Sequence, residues 1–411
     1  MAEKRHYELR LFDRTLVEFS IADTPFGTET ELEDYDEQAW QLMPCGFSLD
    51  ADGIWNWLET RSIPINRKNA GQICRSLGFD LRDREALYRT SLGLSLNDSY
   101  WIVPRGFEGR FDDYNLYENP FSEAIGALAV TGEPGEMSLH GNTPELTTDG
   151  TLRKGWRIID GFRTLYKGAT DGYEPGEPVS EYLASLIGQD LGLPVVSYSL
   201  DTWKGELCST CRDFATKDVS YVPFAVATGE TGLAGVLRWC AEVGTSCLED
   251  VCDMLVFDAL LCNVDRHLTN FGILRDNTTG HPIGLAPIFD NGSSLFPNVA
   301  EDDAKQFTLE AELRAPAFGG TSFTELVIRI KGVRQQKMLD RMGTRGIVGN
   351  VLANRRRVAA LDTFLREHAA ALSSLPVVDH IELVETLRAS VPLRAKRETG
   401  IRRLLPQQVT P

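Results

Sequence analysis

Residues Leu248 to Cys262 carry Val251, Met254, Leu255, Val256, Phe257, Ala259, Leu260 and Leu261 on nearly every face of one helix. A helix that is apolar all round has no side to turn to water, so it belongs at the centre of a helical body. That body cannot be the whole protein. At 411 residues the chain exceeds what one ordinary core accommodates, and two or three lobes of roughly 100 to 200 residues are expected. There is no uninterrupted apolar run of the roughly 18 residues that a membrane span needs. Met1-Ala2-Glu3-Lys4-Arg5-His6 leads into no signal-peptide core. The expectation is a cytoplasmic chain without a membrane association.

Charge and cysteine usage narrow the function classes. A net charge of −17 argues against a broad nucleic-acid-binding face, because neutralising phosphates needs clustered cations. The eight cysteines are scattered among apolar residues at or before Cys262, as reduced core thiols would be. Only Cys208-Ser209-Thr210-Cys211 has metal-like spacing. No second cysteine pair or His-x-x-x-His element closes a tetrahedral site, so packing beside a strand is the reading that spacing supports.

Residues 1–130 read as an N-terminal accessory module of mixed α/β character. Tyr7 to Phe12 and Leu16 to Ile21 alternate as two strands of a hairpin. The acidic run from Glu29 to Glu37 reads as a solvated loop. Short helices are expected over Ile54 to Leu58, Ala70 to Leu77 and Arg84 to Leu92, the last two stopped by Gly78 and Gly93. None of these segments proposes chemistry. They suit a partner-recognition or buttressing role.

Residues 131–215 read as a small β-rich lobe. Its polar stretch from Gly141 to Trp156 is punctuated by Gly150 and Gly155. Such a loop can fold backbone N–H groups over phosphates, with Lys154 adding charge, although its spacing matches neither a Walker loop nor G-x-G-x-x-G. Lys167 closes the strand Phe162 to Lys167, and Glu181 opens an amphipathic helix with a glycine-proline stop at Gly192 to Pro194. A strand lysine fixed by a helix glutamate can hold α- and β-phosphates. A glutamate in a first helical turn also complements the helix dipole, and the two roles are compatible. Strands over Val195 to Leu200 and Leu207 to Phe214 end the lobe, and a nucleotide base would lie near Cys211 to Phe214.

Residues 216–390 read as the large, mainly helical lobe, with helices over Thr321 to Met342 and Val351 to Leu372, and 391–411 as a partly disordered tail. The apolar helix delivers the chain to Asn263-Val264-Asp265-Arg266-His267-Leu268-Thr269-Asn270. Asp265 and Asn270 stand at the spacing used by phosphoryl-transfer loops. There an aspartate meets the attacking hydroxyl and an asparagine offers oxygen to magnesium. A hairpin from Phe271 to Leu274 and Ile283 to Phe289 would bring Asp290 beside Asn270 and complete the metal site. Arg266 and His267 suit bracing of the loop by hydrogen bonds, since magnesium prefers oxygen ligands.

Asn263-Val264-Asp265-Arg266-His267-x-x-Asn270, followed by Leu285-Ala286-Pro287-Ile288-Phe289-Asp290, resembles the signature of the HipA-like serine/threonine kinases, bacterial proteins known from toxin–antitoxin pairs. They place Asp-Arg-His where eukaryotic kinases place His-Arg-Asp. The resemblance covers about residues 135–370. It implies an α+β, bilobal protein-kinase-like fold, with Asp265 as catalytic base, Lys167 on ATP phosphates, and Asn270 and Asp290 on magnesium. Members of that family act on proteins and pair with a DNA-binding antitoxin, so a protein substrate and an antitoxin-like protein partner are the expectations, although these residues themselves specify neither. Residues 1–130 do not resemble the small β-rich domain that opens typical members, and the loop hydroxyls are those of Thr143, Thr147, Thr148 and Thr151. The readings left open are a protein kinase, a phosphotransferase acting on a small molecule or nucleotide, and a catalytically silent ATP-binding module.

Overall fold

The computed structural model describes residues 4–24, 27–133, 142–170, 176–300, 302–318, 320, 322–347 and 354–389. The expected tail over 391–411, and Gly141 at the start of the polar loop, lie outside them. The chain opens with the hairpin of β1 (Lys4–Leu11) and β2 (Arg14–Thr24), as the alternation of apolar residues predicts. The acidic run is a strand and not a loop: β3 (Gly27–Tyr35) pairs antiparallel with β2 at the sheet edge. Its charge is tolerated there because basic side chains face it. Lys4 pairs with Glu31, and Arg105 and His6 pair with Glu33.

Helices α1 (Ala51–Glu59), α2 (Ala70–Ser76) and α3 (Arg84–Ser91) follow. Then β4 (Tyr100–Pro104) returns to β1, giving the sheet order β3-β2-β1-β4. Two helices, α4 (Phe111–Tyr114) and α5 (Glu123–Thr131), lead toward the small lobe. There β5 (Lys154–Ile159) and β6 (Phe162–Lys167) form a hairpin, and helix α6 (Gly176–Leu191) packs on β7 (Tyr198–Trp203) and β8 (Glu206–Arg212) in the order β5-β6-β8-β7. Cys208 and Cys211, three apart on β8, face opposite sides of the strand. Cys208 is buried with Tyr166 and Trp203, and Cys211 with Val196 and Tyr198.

A strand that the sequence pattern did not signal, β9 (Val219–Pro223), pairs with β10 (Gly272–Asp276), which pairs with β11 (Pro282–Leu285). Between β9 and β10 run α7 (Phe224–Thr228), α8 (Leu233–Val243) and the apolar helix α9 (Thr245–Leu261). Helix α9 is buried as its composition demands. Leu248, Val251, Val256, Phe257, Leu260 and Leu261 are all sealed from solvent, and each such side chain contributes about 1.5–3 kcal/mol. Around it lie α10 (Ala304–Leu313), α11 (Phe323–Ile330), α12 (Val333–Arg345), α13 (Arg355–Ser373) and α14 (His380–Ala389). The expected helix over 321–342 is therefore two, broken at Lys331 and Gly332.

One close approach joins α5 to the small lobe. A Cβ on Gly155 would stand 2.5 Å from the Gly126 carbonyl oxygen, and one on Gly126 would stand 2.8 Å from that of Trp156. Neither backbone can retreat without parting helix from strand. Gly155→Ala is expected to lower the unfolding free energy by about 1–3 kcal/mol, read by chemical denaturation; an unchanged midpoint would show that the contact has room to spare.

Candidate active site

The loop that begins at Asn263 is held from behind. Helix α9 ends on Cys262 in the left-handed conformation (φ +54°), which turns the chain out of the core. Arg266, 2% exposed, then points back. Its Nε and one terminal nitrogen donate to the two carboxylate oxygens of Asp258 at 2.9 and 3.1 Å, and the latter nitrogen also donates to Asn291 Oδ1 at 2.7 Å. Its other terminal nitrogen donates to the carbonyls of Asn270 and Phe289. Asn263 Nδ2 adds a 2.9 Å bond to Asp258, and the Asp265 amide donates to Asn263 Oδ1 at 3.1 Å. Arg266 is a brace. His267 is more exposed, its ring 2.8 Å from Thr269 Oγ1 and 3.9 Å from the Asp265 carboxylate.

Asp290 arrives from β11. Ala286 N donates to Gly272 O at 2.9 Å, closing the hairpin, and Ile288 forms a parallel bridge with Val195 at the edge of the small lobe. Asp290 itself sits at φ +59°, a left-handed conformation rare outside glycine and costing about 1–3 kcal/mol where it persists at functional sites. That backbone delivers its Oδ1 to within 2.6 Å of Lys167 Nζ.

Lys167 also reaches Glu181 Oε1 at 2.7 Å. Glu181 does not open its helix: α6 begins at Gly176, so Glu181 lies in the second turn and the first-turn dipole role falls away. Its Oε2 accepts from Ser209 Oγ at 2.7 Å, which the register of β6 and β8 sets beside Lys167. Burial alone would discharge this ammonium group, but Asp290 and Glu181 overcome it and raise its affinity for a proton well above the ordinary lysine value. Burial opposes ionisation of Asp290 too, and Lys167, Lys154 and Arg266 outweigh it, holding the carboxyl far below the usual carboxylate range.

The cleft in front of this pair is lined by Thr148 to Leu152, Lys154, Val196, Phe214, Asp265, Asn270, Phe289 and Asp290, among others. Cys211 to Phe214 line it as well. The Lys154 ammonium lies directly over Gly150, at φ +91°, so close that a Cβ there would collide with it. Burial, with Lys167 and Arg67 adding to it and Asp290 and Asp149 opposing, draws Lys154 down to about 8. Asp265 is open to the cleft, its side chain 54% exposed. Partial burial raises its proton affinity and the nearby His267 opposes the rise.

Asn270 Nδ2 donates to the Asp265 carbonyl at 2.9 Å, which leaves its side-chain oxygen for a cation. Among the described residues no cluster of three or more histidine, cysteine or acidic side chains gathers. One ionised carboxylate and one amide oxygen, with further positions for phosphate and water, is a donor set that fits magnesium.

Sequence reasoning missed Asp258, Ser209, Arg67 and the segment Ser95 to Asn97, which lines the cleft from the N-terminal module. None of them carries a motif. Asp258 was concealed within an apolar helix, where a lone buried carboxylate is itself a signal of a buried cationic partner.

No family model matches the chain. A stretch of 134 residues is 34% identical to the serine/threonine-protein kinase CtkA of Helicobacter pylori strain J99, over 29% of this chain and 40% of that protein. The match thus spans less than half the length of that curated relative. A crystal structure of the H. pylori proinflammatory kinase CtkA aligns with 57% of this chain and 93% of that chain, with a TM-score of 0.44 and 22% identity. A chain of the Shewanella oneidensis MR-1 toxin–antitoxin complex of HipA, HipB and operator DNA aligns over 94% of this chain and 100% of its own length, with a TM-score of 0.53 and 15% identity. The fold is therefore the kinase-like fold of that structure, and the sequence likeness to a serine/threonine-protein kinase is confined to the 134-residue stretch. The fold likeness extends beyond residues 135–370, since 94% coverage leaves too little unmatched to exclude the N-terminal module.

The pH behaviour of the ion pair follows from the two shifts. Asp290 is depressed, so its contribution to stability is complete above the unfolded value of about 3.9 and is lost as pH falls through the folded one. Lys167 is raised, so its contribution is complete below about 10.4 and is lost as pH rises from there through the folded value. The stability gap between wild type and Asp290→Asn is expected to stay level from about pH 5 to pH 6 and to narrow below about pH 4. Urea unfolding across that range measures it; a gap that widens in acid would contradict the assignment.

Proposed function

We propose that the chain is an ATP- and magnesium-dependent serine/threonine protein kinase. The observation that carries this reading is the ammonium group of Lys167, held between Glu181 and Asp290 at 2.7 and 2.6 Å, directly behind a cleft that Asp290 lines together with Asp265 and Asn270. An ammonium group fixed by a helix carboxylate is positioned for phosphate oxygens. Lys154 adds a second cation over Gly150, whose bare backbone lets phosphates come close. Leu165, Val196, Phe214 and Phe289 give a base an apolar slot.

Asn270 and Asp290 would hold magnesium, which when bound with ATP neutralises phosphate charge. Asp265 orients the acceptor hydroxyl and takes its proton, which its exposure to the cleft permits. The fold likeness to the chain found with HipA, HipB and operator DNA makes an antitoxin-like protein the partner we propose. The net charge of −17 leaves any DNA contact to that partner.

Two outcomes follow. Asp265→Asn should keep ATP affinity, since the nucleotide rests on Lys167, Lys154 and the cleft walls, while transfer falls by about 10² to 10⁴. Calorimetry beside a phosphate-transfer assay reads both, and wild-type turnover in the variant would remove Asp265 from the mechanism. Second, kcat/KM for ATP should fall as pH rises through about 8, where Lys154 loses its proton, because that parameter reports groups on the free enzyme. The same limb should be absent from Lys154→Met; its survival there would assign it to another group.

A further inference from the structure

The polar loop that faces the cleft has a turn of its own, in which Thr147 N and Thr148 N donate to Pro144 O, and is otherwise held by the N-terminal module. Arg67, between α1 and α2, is 3% exposed. One of its terminal nitrogens donates to the carbonyls of Glu145 and Thr148 at 3.0 and 2.9 Å, and the other to the carbonyl of Lys154 at 2.5 Å. The backbone N–H of the next residue, Lys68, donates to Thr151 O at 3.2 Å. Two neighbouring residues thus grip four carbonyls spread along the loop from Glu145 to Lys154.

A second tie comes from the other side. The Thr147 hydroxyl donates to Leu94 O at 2.6 Å. From Leu94 the chain runs through Ser95, Leu96 and Asn97, which line the cleft, to a bond from Tyr221 N to Asn97 O at 2.8 Å. The module therefore spans from the loop to β9. Glu145, fully buried, completes the support by accepting from Trp156 N at 2.8 Å and from the Thr143 hydroxyl.

We propose that Arg67 is a positioning residue for the nucleotide, setting the phosphate-facing loop and Lys154 so that the N-terminal module is a working part of the ATP site. The inference rests on the kinase reading. Its physical basis is that the loop carries Gly150 and Asp149 at its tip and few apolar anchors there. Without its carbonyls gripped it would sample many backbone states, and each would have to be lost again on binding ATP. Arg67 itself touches no cleft-lining side chain in a catalytic role.

The test is steady-state kinetics and amide hydrogen exchange on the full chain, comparing wild type, Arg67→Met, Arg67→Lys and Thr147→Val. Arg67→Met should raise KM for ATP by about tenfold or more, the worth of one charge-assisted hydrogen bond, with kcat at saturating ATP and KM for the acceptor little changed. Exchange at Thr148 to Lys154 should quicken while that of β1 and β2 stays at the wild-type rate. Arg67→Lys, which reaches fewer carbonyls, should fall between. Faster loop exchange with an unchanged KM for ATP would overturn the proposal, because Arg67 would then serve the fold alone. If Arg67→Met does not fold, Thr147→Val decides: a raised KM for ATP supports the proposal and an unchanged one overturns it. A wild-type chain that transfers no phosphate from ATP would overturn the kinase reading, and the inference with it, a result distinct from an active enzyme indifferent to Arg67.

Discussion

The pair of Arg266 and Asp258 is the interaction on which the geometry of the candidate site depends. Two charges out of water are expensive, and they persist here because the geometry is bidentate and three further acceptors, on Asn270, Phe289 and Asn291, complete the guanidinium. Those acceptors belong to two segments, the loop that ends at Asn270 and the residues flanking Asp290. One guanidinium consequently fixes the Asn263 to Asn270 loop, the residues on either side of Asp290 and the core helix α9 to one another. Removing either partner would leave an uncompensated buried charge, a loss of about 3–5 kcal/mol. Asp253 on the same helix repeats the device further back, accepting from Arg334 and Gln335 at 2.6 Å each and tying α9 to α12.

With the loop fixed, the charges in front of it can oppose one another. Lys167 and Asp290 are 123 residues apart in sequence and meet only because β6 ends where the chain after β11 turns left-handed. Each holds the other ionised against burial. A cleft lined by the Lys154 ammonium group and by Asp265 and Asp290, with Lys167 fixed behind Asp290, offers preorganised charge to a polyanionic ligand and its counter-cation.

Much of this was legible in the sequence. Lys167, Glu181, Asp265, Asn270 and Asp290 stand in the chain order that the resemblance implies, and the structure brings Glu181 and Asp290 onto Lys167, with Asp265, Asn270 and Asp290 lining one cleft. Helix α9 was legible because an all-round apolar pattern has one solution. What escaped has physical reasons as well. The strand β3 was hidden by its glutamates, whose partners Lys4, His6 and Arg105 are remote in sequence. Arg67 reads as a surface arginine because its partners are backbone carbonyls, which leave no trace in residue identity. Ser209 serves Glu181 through a strand register that no spacing rule encodes. Helix α6 begins five residues before Glu181, and an amphipathic pattern marks a helix better than it marks its first turn.

The central claim is that the cleft around Lys167 and Asp290 transfers phosphate from ATP to a protein hydroxyl. Incubating the full chain with γ-labelled ATP, magnesium and a bacterial lysate, beside Lys167→Ala and Asp290→Ala, tests it directly. The account predicts label on serine or threonine of a lysate protein with the wild-type chain and its loss with both variants. Label that appears equally with the variants, or none with a folded wild-type chain that has been supplied with magnesium, would contradict it.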